Sequence, residues 1–274
     1  MEAKIGFIGA GNMGSAIVRG VVLSSAARPE DIYIFDVDKK KAEDLAKETG
    51  AAVAESSLEL VNKCSYVILA VKPVYVEQVL TEIRDSFTSD MVLISIAAGI
   101  SMETLKSYIG SDRKVVRTMP NLPLMVGEGM TLLSFDNNIG EDEKNIVKNI
   151  FACSGKTQEL EERLMNEVTA LTGSSPAYVF VMLEAMADGA VQQGIPRKIA
   201  YRLAAQAVMG SAKMVLETGL HPAELKDQVC SPAGTTIEAV RSLEKSGFRY
   251  SIIEAMSECT ARAHKLDEGR KAGR

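Results

Sequence analysis

The sequence predicts an α/β domain built on a parallel sheet, followed by an all-helical domain. Apolar strand-like runs alternate with helix-like stretches over residues 1–162, the pattern of a parallel sheet with right-handed crossovers. A strand-like run at residues 5–8 leads straight into Gly9, Gly11 and Gly14, and a helical stretch follows at once. Over residues 163–274 the strand signals largely vanish and long helical stretches take over.

The glycine spacing has a physical meaning. Gly9 allows a tight turn, Gly11 lets the backbone approach a pyrophosphate, and Gly14 lets the next helix pack closely on the strand. The helix start offers unpaired N–H groups and a partial positive charge to the phosphates. Asn12 and Met13, inside the motif, join the three glycines as cofactor-binding candidates. Gly-x-Gly-x-x-Gly alone is a weak motif that any glycine-rich loop satisfies. Here a strand precedes it, a helix follows, and a second strand at residues 32–35 ends in Asp36, where a ribose hydroxyl is held. This is the context of a Rossmann-type domain binding a nicotinamide or flavin dinucleotide.

Further along, residues 39–48 are helical by composition and 51–53 form a short third strand. The continuous apolar run at 66–71 reads as a strand buried on both faces, ended by Lys72-Pro73. A helix at 74–84 and a strand at 91–96 follow. Ala97, Ala98 and Gly99 then form an exit loop small enough to leave room for a ring or sugar at the carboxyl ends of the strands. Residues 102–109 read as a helix and 114–118 as a strand. Met119-Pro120-Asn121-Leu122-Pro123 is a rigid turn that, alone, is ordinary punctuation. Residues 127–135 return as a strand and 141–152 as a helix.

In the second domain a helix over 164–193 is interrupted at Thr172-Gly173-Ser174-Ser175-Pro176, because proline frees backbone groups. Residues 197–218 form an alanine-rich helix carrying Gly210, and His221-Pro222 opens another. Ser231-Pro232-Ala233-Gly234-Thr235-Thr236 follows, then helices at 237–245 and 250–267. The charged tail after Gly269 is expected to fray. So much small and apolar surface on so short a helical stretch predicts packing against a second copy, as a homodimer or an oligomer of dimers, with a self-contained bundle as the alternative.

The balance of 46% hydrophobic and 24% charged residues over 274 positions is that of an ordinary folded chain. A net charge of −5 without a long basic block argues against nucleic acid or an anionic membrane as the main partner. Cys64, Cys153, Cys230 and Cys259 lie far apart, with only His221 and His264 as imidazoles, so neither a metal site nor a disulfide framework is expected. The first strand begins within a few residues, and no apolar run approaches the roughly 18 residues of a membrane span. The reading is a reduced, cytoplasmic protein with a small-molecule substrate.

Candidates for general acid–base chemistry are poor. His221 and His264 read as surface residues, Tyr178 as packing, and no lysine lies between Arg163 and Pro196. What the second domain offers is two hydroxyl clusters: Thr172, Ser174 and Ser175 beside Pro176, and Ser231, Thr235 and Thr236 around Pro232 and Gly234. The second fits a helix-start loop whose N–H groups hold a carboxylate, and equally an N-cap without ligand. A site that orients a small anion with little acid–base help suits an activated substrate such as a protonated imine.

Five stretches carry a family resemblance. They are Gly-Phe-Ile-Gly-Ala-Gly-Asn-Met-Gly at 6–14, Ala-Val-Lys-Pro at 70–73, Arg-Thr-Met-Pro-Asn-Leu-Pro at 117–123, residues 171–180, and above all Lys-Asp-Gln-Val-Cys-Ser-Pro-Ala-Gly-Thr-Thr-Ile-Glu-Ala-Val at 226–240. Over essentially its whole length the chain resembles the pyrroline-5-carboxylate reductase family. The resemblance implies a Rossmann domain, a helical dimerisation domain, and reduction of the cyclic imine 1-pyrroline-5-carboxylate to L-proline by a nicotinamide cofactor, the last step of proline biosynthesis.

Position by position, it implies that Ser231, Pro232, Ala233, Gly234 and Thr235 hold the substrate carboxylate, aided by Ser175. The Thr236 hydroxyl hydrogen-bonds the ring nitrogen as the catalytic residue. Ala70, Val71, Lys72 and Pro73 join the cofactor site, and Ala97, Ala98, Gly99 and Asn121 lie near its nicotinamide side. An iminium is itself electrophilic, so positioning and charge complementarity can carry the step. The chain departs from the family's Ser-Gly-Pro at Ser174-Ser175-Pro176. Many relatives carry a small polar or basic group where Asp36 stands, and favour NADPH. Asp36 suits a free 2′-hydroxyl, Lys39, Lys40 and Lys41 stand nearby, and both NADPH and NADH remain open. A β-hydroxyacid dehydrogenase would need a lysine on the first helix of the second domain, which is absent. A cofactor sensor without turnover predicts loss of the 231–236 hydroxyls, which are present.

Overall fold

The structure, a computed structural model, describes residues 3–272. Its strands are β1 (Ile5–Ile8), β2 (Ile32–Phe35), β3 (Ala52–Val53), β4 (Tyr66–Leu69), β5 (Val92–Ser95), β6 (Lys114–Met119), β7 (Gly129–Phe135) and β8 (Gly155–Glu159). They form one eight-stranded sheet in the order β3-β2-β1-β4-β5-β6-β7-β8. Every neighbouring pair is parallel except β6 and β7, so the strand expected at 127–135 forms over 129–135 and runs antiparallel to β6, a direction the sequence does not indicate.

Alternation along the strands builds two apolar layers. Ile5 and Phe7 of β1 and Tyr66 and Ile68 of β4 face α1 (Asn12–Leu23), α2 (Lys39–Thr49) and α6 (Glu141–Ala152), through Ile17, Leu45 and Phe151 among others. Ile8, Val67 and Leu69 point the other way, onto α3 (Ser57–Lys63), α4 (Val76–Ile83) and α5 (Met102–Ile109), through Leu60, Leu80 and Leu105. Helices on both faces and a strand order that reverses direction at β1/β4 make this a doubly wound fold of Rossmann type.

Two elements are absent from the sequence-based expectation. Helix α3 is started by Ser56, whose Oγ accepts the Glu59 N–H at 3.1 Å. Strand β8, Gly-Lys-Thr-Gln-Glu, is a polar edge strand with no apolar alternation to reveal it. A Cβ on Gly155 would lie 2.0 Å from the Gly129 carbonyl oxygen, so the close start of the β7–β8 pair requires a glycine there. The strand expected at 66–71 ends at Leu69. The helix expected from residue 74 begins as a 3-10 turn, Pro73–Tyr75, that leads into α4.

The chain divides into two compact units, Met1–Gly173 with Thr260–Arg274, and Ser174–Cys259. The first thus extends past the 162/163 boundary read from sequence. It includes α7 (Met165–Val168) and the π-helical turn Thr169–Gly173, where Met165 and Ala170 are buried. The break expected within one long helix is this π turn, and Pro176 lies in the first turn of α8 (Ser175–Gln192), starting that helix rather than kinking it.

In the second unit α8 packs against α9 (Arg197–Thr218). These are followed by α10 (Pro222–Val229), α11 (Thr235–Lys245), which starts earlier than expected, and α12 (Phe248–Ala272). Helix α12 passes Gly269, where fraying was expected, and the tail beyond Ala272 lies outside the described residues. Ala187, Ala200 and Ala204 are the only buried side chains of this unit. Among the described residues no helix is long and apolar enough to cross a membrane. All four cysteines are free thiols, and burial pushes the Cys64 thiol up to about 12 against the opposing pull of Lys4 and Lys63.

Candidate active site

The glycine turn between β1 and α1 is built as the spacing predicts. Gly9 has φ 111°, and its N–H donates to the Phe35 carbonyl at 2.8 Å. A Cβ there would lie 2.5 Å from the Ala70 carbonyl oxygen, and one on Gly14 would lie 2.3 Å from that of Gly9. These two glycines are demanded by the protein's own packing. A Cβ on Gly11, by contrast, would meet nothing within 4 Å, so that glycine leaves open space at the start of α1.

Gly11 is the N-cap of α1, makes no side-chain cap, and no acidic residue stands in the first turn. The first N–H groups are therefore not satisfied by a capping side chain, which is what a pyrophosphate needs. Ser15 steadies the turn, its Oγ donating to the Ala10 carbonyl at 2.8 Å. Asn12 is exposed, and Met13 packs against the core layer under α1. The open cradle at Gly11 and the uncapped helix start fit a dinucleotide.

Asp36, at the carboxyl end of β2, does more than the sequence indicates. Its Oδ2 accepts the Ala10 N–H at 2.7 Å, tying the strand end to the glycine turn, and its Oδ1 accepts the Asp38 N–H at 2.9 Å.

At the ends of β4 and β5 the loops run over a cavity of about 290 Å³. Pro73, Ala97, Ala98 and Gly99 line it, as do Arg117, Thr118, Met119, Asn166 and Thr169. The structure thus brings the small exit loop and the proline turn into one site, outside the carboxyl ends of the strands. Ala70 continues the sheet ladder, its N–H donating to the Ile8 carbonyl at 2.8 Å. Val71 is half-buried and Lys72 exposed.

Asn121 is not among the lining residues, and its amide bridges two other segments. Nδ2 donates to the Thr172 carbonyl at 3.0 Å, and Oδ1 accepts the Met130 N–H at 2.9 Å. It therefore fixes the 119–123 turn against the π turn and β7.

Sequence reading missed Arg117, Asn166 and Thr169. The Arg117 guanidinium, in a side chain only 10% exposed, pairs with Glu162 at 3.2 Å and donates to Asn166 Oδ1 at 3.0 Å. Glu162 also accepts the Met102 N–H at 2.6 Å. This network pins the chain that follows β8 to the sheet. The one signal in the sequence is an arginine interrupting the apolar strand Lys-Val-Val-Arg-Thr-Met.

In the helical unit, the loop before α11 has Ala233 at φ 55°, a left-handed conformation that costs a non-glycine residue strain. The Gly234 N–H donates to the Ser231 carbonyl at 3.0 Å, and a Cβ on Gly234 would lie 2.3 Å from Ser231 Oγ. Gly234 is the N-cap and, having no side chain, cannot cap the helix start. Ser231, Pro232 and Thr235 are exposed and Thr236 half-buried.

The other hydroxyl cluster is split, Thr172 lying in the first compact unit and Ser174 and Ser175 in the second. Ser174 Oγ accepts the Cys259 thiol at 3.2 Å, and Ser175 opens α8. Burial, with a contribution from the Cys259 contact, raises the Tyr178 phenol above its ordinary value. Both histidines have local partners. His221 Nδ1 accepts the Ala223 N–H at 3.2 Å, and His264 lies 3.3 Å from Glu167.

A curated relative, pyrroline-5-carboxylate reductase of Escherichia coli K12, is 47% identical over 98% of this chain and 100% of its own length. The chain belongs to the pyrroline-5-carboxylate reductase family. A member from Methanosarcina acetivorans is 42% identical over 96% of this chain and 97% of its own. The family model described as pyrroline-5-carboxylate reductase dimerisation matches residues 162–266, and that of NADP oxidoreductase, coenzyme F420-dependent, matches 4–99. The solved pyrroline-5-carboxylate reductase of Coxiella burnetii superposes with a TM-score of 0.91 at 32% identity, covering 97% of this chain and 99% of that one. That of Plasmodium falciparum, solved with NADP bound, gives 0.88 at 32% identity, covering 97% and 98%.

Proposed function

We propose that the protein reduces 1-pyrroline-5-carboxylate to L-proline with NAD(P)H, the final step of proline biosynthesis. The observation that carries this is the 47% identity to a reductase of that name across the whole of that relative. When bound, the nicotinamide supplies the hydride.

Gly9, Gly11, Asn12, Met13 and Gly14 hold the pyrophosphate and Asp36 the adenosine ribose. Ala70, Val71, Lys72, Pro73, Ala97, Ala98 and Gly99 form the nicotinamide half of the site, and Asn121 shapes it by holding its turn. Ser231, Pro232, Ala233, Gly234 and Thr235 bind the substrate carboxylate at the uncapped start of α11, with Ser175 assisting. The Thr236 hydroxyl hydrogen-bonds the ring nitrogen. No histidine or lysine of the chain is assigned as an acid, because the imine nitrogen of a protonated substrate already carries its proton and positioning does the rest.

The protein is a homo-oligomer, and we assign it as a homodimer formed through residues 163–274, with residues 1–162 as the cofactor domain. Small-molecule ligands, free thiols and the lack of a membrane-crossing helix among the described residues support a cytoplasmic setting. The test follows nicotinamide absorbance with 1-pyrroline-5-carboxylate and either reduced cofactor, and quantifies proline. Cofactor oxidation matched mole for mole by L-proline supports the assignment. Intact cofactor binding with no oxidation of either refutes it.

A further inference from the structure

We infer that this chain selects NADH, and that Asp36 is the residue that rejects the 2′-phosphate of NADPH. The inference rests on the proposed cofactor site and concerns its adenosine end. The Asp36 carboxylate stands at the carboxyl end of β2 beside the glycine turn, where the adenosine ribose of a Rossmann domain is held. Both of its oxygens are engaged by backbone donors, Oδ2 by Ala10 at 2.7 Å and Oδ1 by Asp38 at 2.9 Å. It cannot swing aside without leaving those N–H groups unpaired. Each oxygen keeps a lone pair for a hydroxyl donor. A free 2′-hydroxyl can donate to it, whereas a 2′-phosphate brings a further charge of about −1.5 to −2 against a fixed carboxylate.

Of the surrounding cations only exposed Lys40 is left to offset that charge. Lys39 is paired with Glu55 at 3.0 Å and Lys41 with Asp38 at 3.5 Å. Glu43 and Glu55 line the same small hollow as Asp36 and Lys39. No arginine, the side chain that accommodates a 2′-phosphate, occurs in residues 36–43. Lys40 is the one lysine of the three without an ion pair among the described residues.

The test is fluorescence titration of NADH and NADPH, without substrate, on the wild-type protein and on Asp36→Asn. The wild type is expected to bind NADH at least about tenfold more tightly, since like charges brought together cost that much or more. Added salt narrows the ratio by screening. Asp36→Asn removes the charge but sets a donor amide against one of the two backbone N–H groups, so it is expected to weaken NADH while shifting the NADPH-to-NADH affinity ratio toward NADPH by about tenfold.

A wild type that binds NADPH as tightly as NADH overturns the inference, whether or not the variant folds. A wild-type preference for NADH that persists in Asp36→Asn removes Asp36 as its cause and also overturns it. Selective NADH binding by a protein that leaves 1-pyrroline-5-carboxylate unreduced upholds this inference and contradicts the proposed reaction, so the two fail separately.

Discussion

In the first compact unit Phe7, Phe87 and Phe151 are sealed from solvent, while in the second Phe180, Val181, Leu203, Met209, Leu216 and Tyr250 face it and only three alanines are buried. The difference follows from architecture. A sheet with helices on both faces buries its own apolar layers, so the first unit carries its core within one chain. The five helices that form or enter the second unit have no sheet to cover. Their large side chains are left for another surface, and an exposed apolar area of this kind marks an interface. The first unit is held together by contacts within one chain, whereas the exposed apolar faces of the second fit the proposed homodimer interface.

The largest effect that sharpens this contrast is in the first core. Phe87→Ala is expected to lower the unfolding free energy by about 3–5 kcal/mol, because it opens a cavity in a closed layer. Urea unfolding at several protein concentrations should show the same loss at each. The helical unit should respond the opposite way. Phe180→Asp with Leu203→Asp is expected to weaken self-association by on the order of 2 kcal/mol or more, read by sedimentation equilibrium, while cofactor binding survives. An unchanged oligomer would break the comparison.

Smaller effects probe the backbone of each unit. Gly9→Ala must place a Cβ 2.5 Å from a carbonyl oxygen at φ 111°, so it is expected to cost about 1–3 kcal/mol and to abolish measurable cofactor binding in the same titration. Ala233→Gly relieves a left-handed non-glycine residue and should raise stability by about 0.5–1 kcal/mol, seen as a small rise in Tm.

What the sequence disclosed follows the same division between local and distant. The strand, turn and helix spanning residues 5–23 were legible because the glycine spacing, the apolar run and the acidic residue after β2 are all local signals. The Ser231–Thr236 loop was legible as a helix start for the same reason, since proline, glycine and hydroxyls cluster within it.

Arg117 was not legible as a site residue, because its partners Glu162 and Asn166 lie far along the chain and only the folded sheet brings them together. The part Asn121 plays in holding its turn was likewise hidden, because its partners Thr172 and Met130 come together only in the fold. Strand β8 was hidden because an edge strand needs no apolar face, and α3 because a seven-residue helix shows too few apolar repeats to stand out from a loop.

The most direct test compares Thr236→Ala with the wild type, measuring on the same samples the turnover of 1-pyrroline-5-carboxylate and the affinity for NADH. Loss of one hydrogen bond to the reacting ring nitrogen is expected to reduce kcat/KM by about 10- to 100-fold while leaving cofactor affinity unchanged. Unchanged turnover in the variant, or a wild type that binds cofactor and forms no proline, would contradict the account.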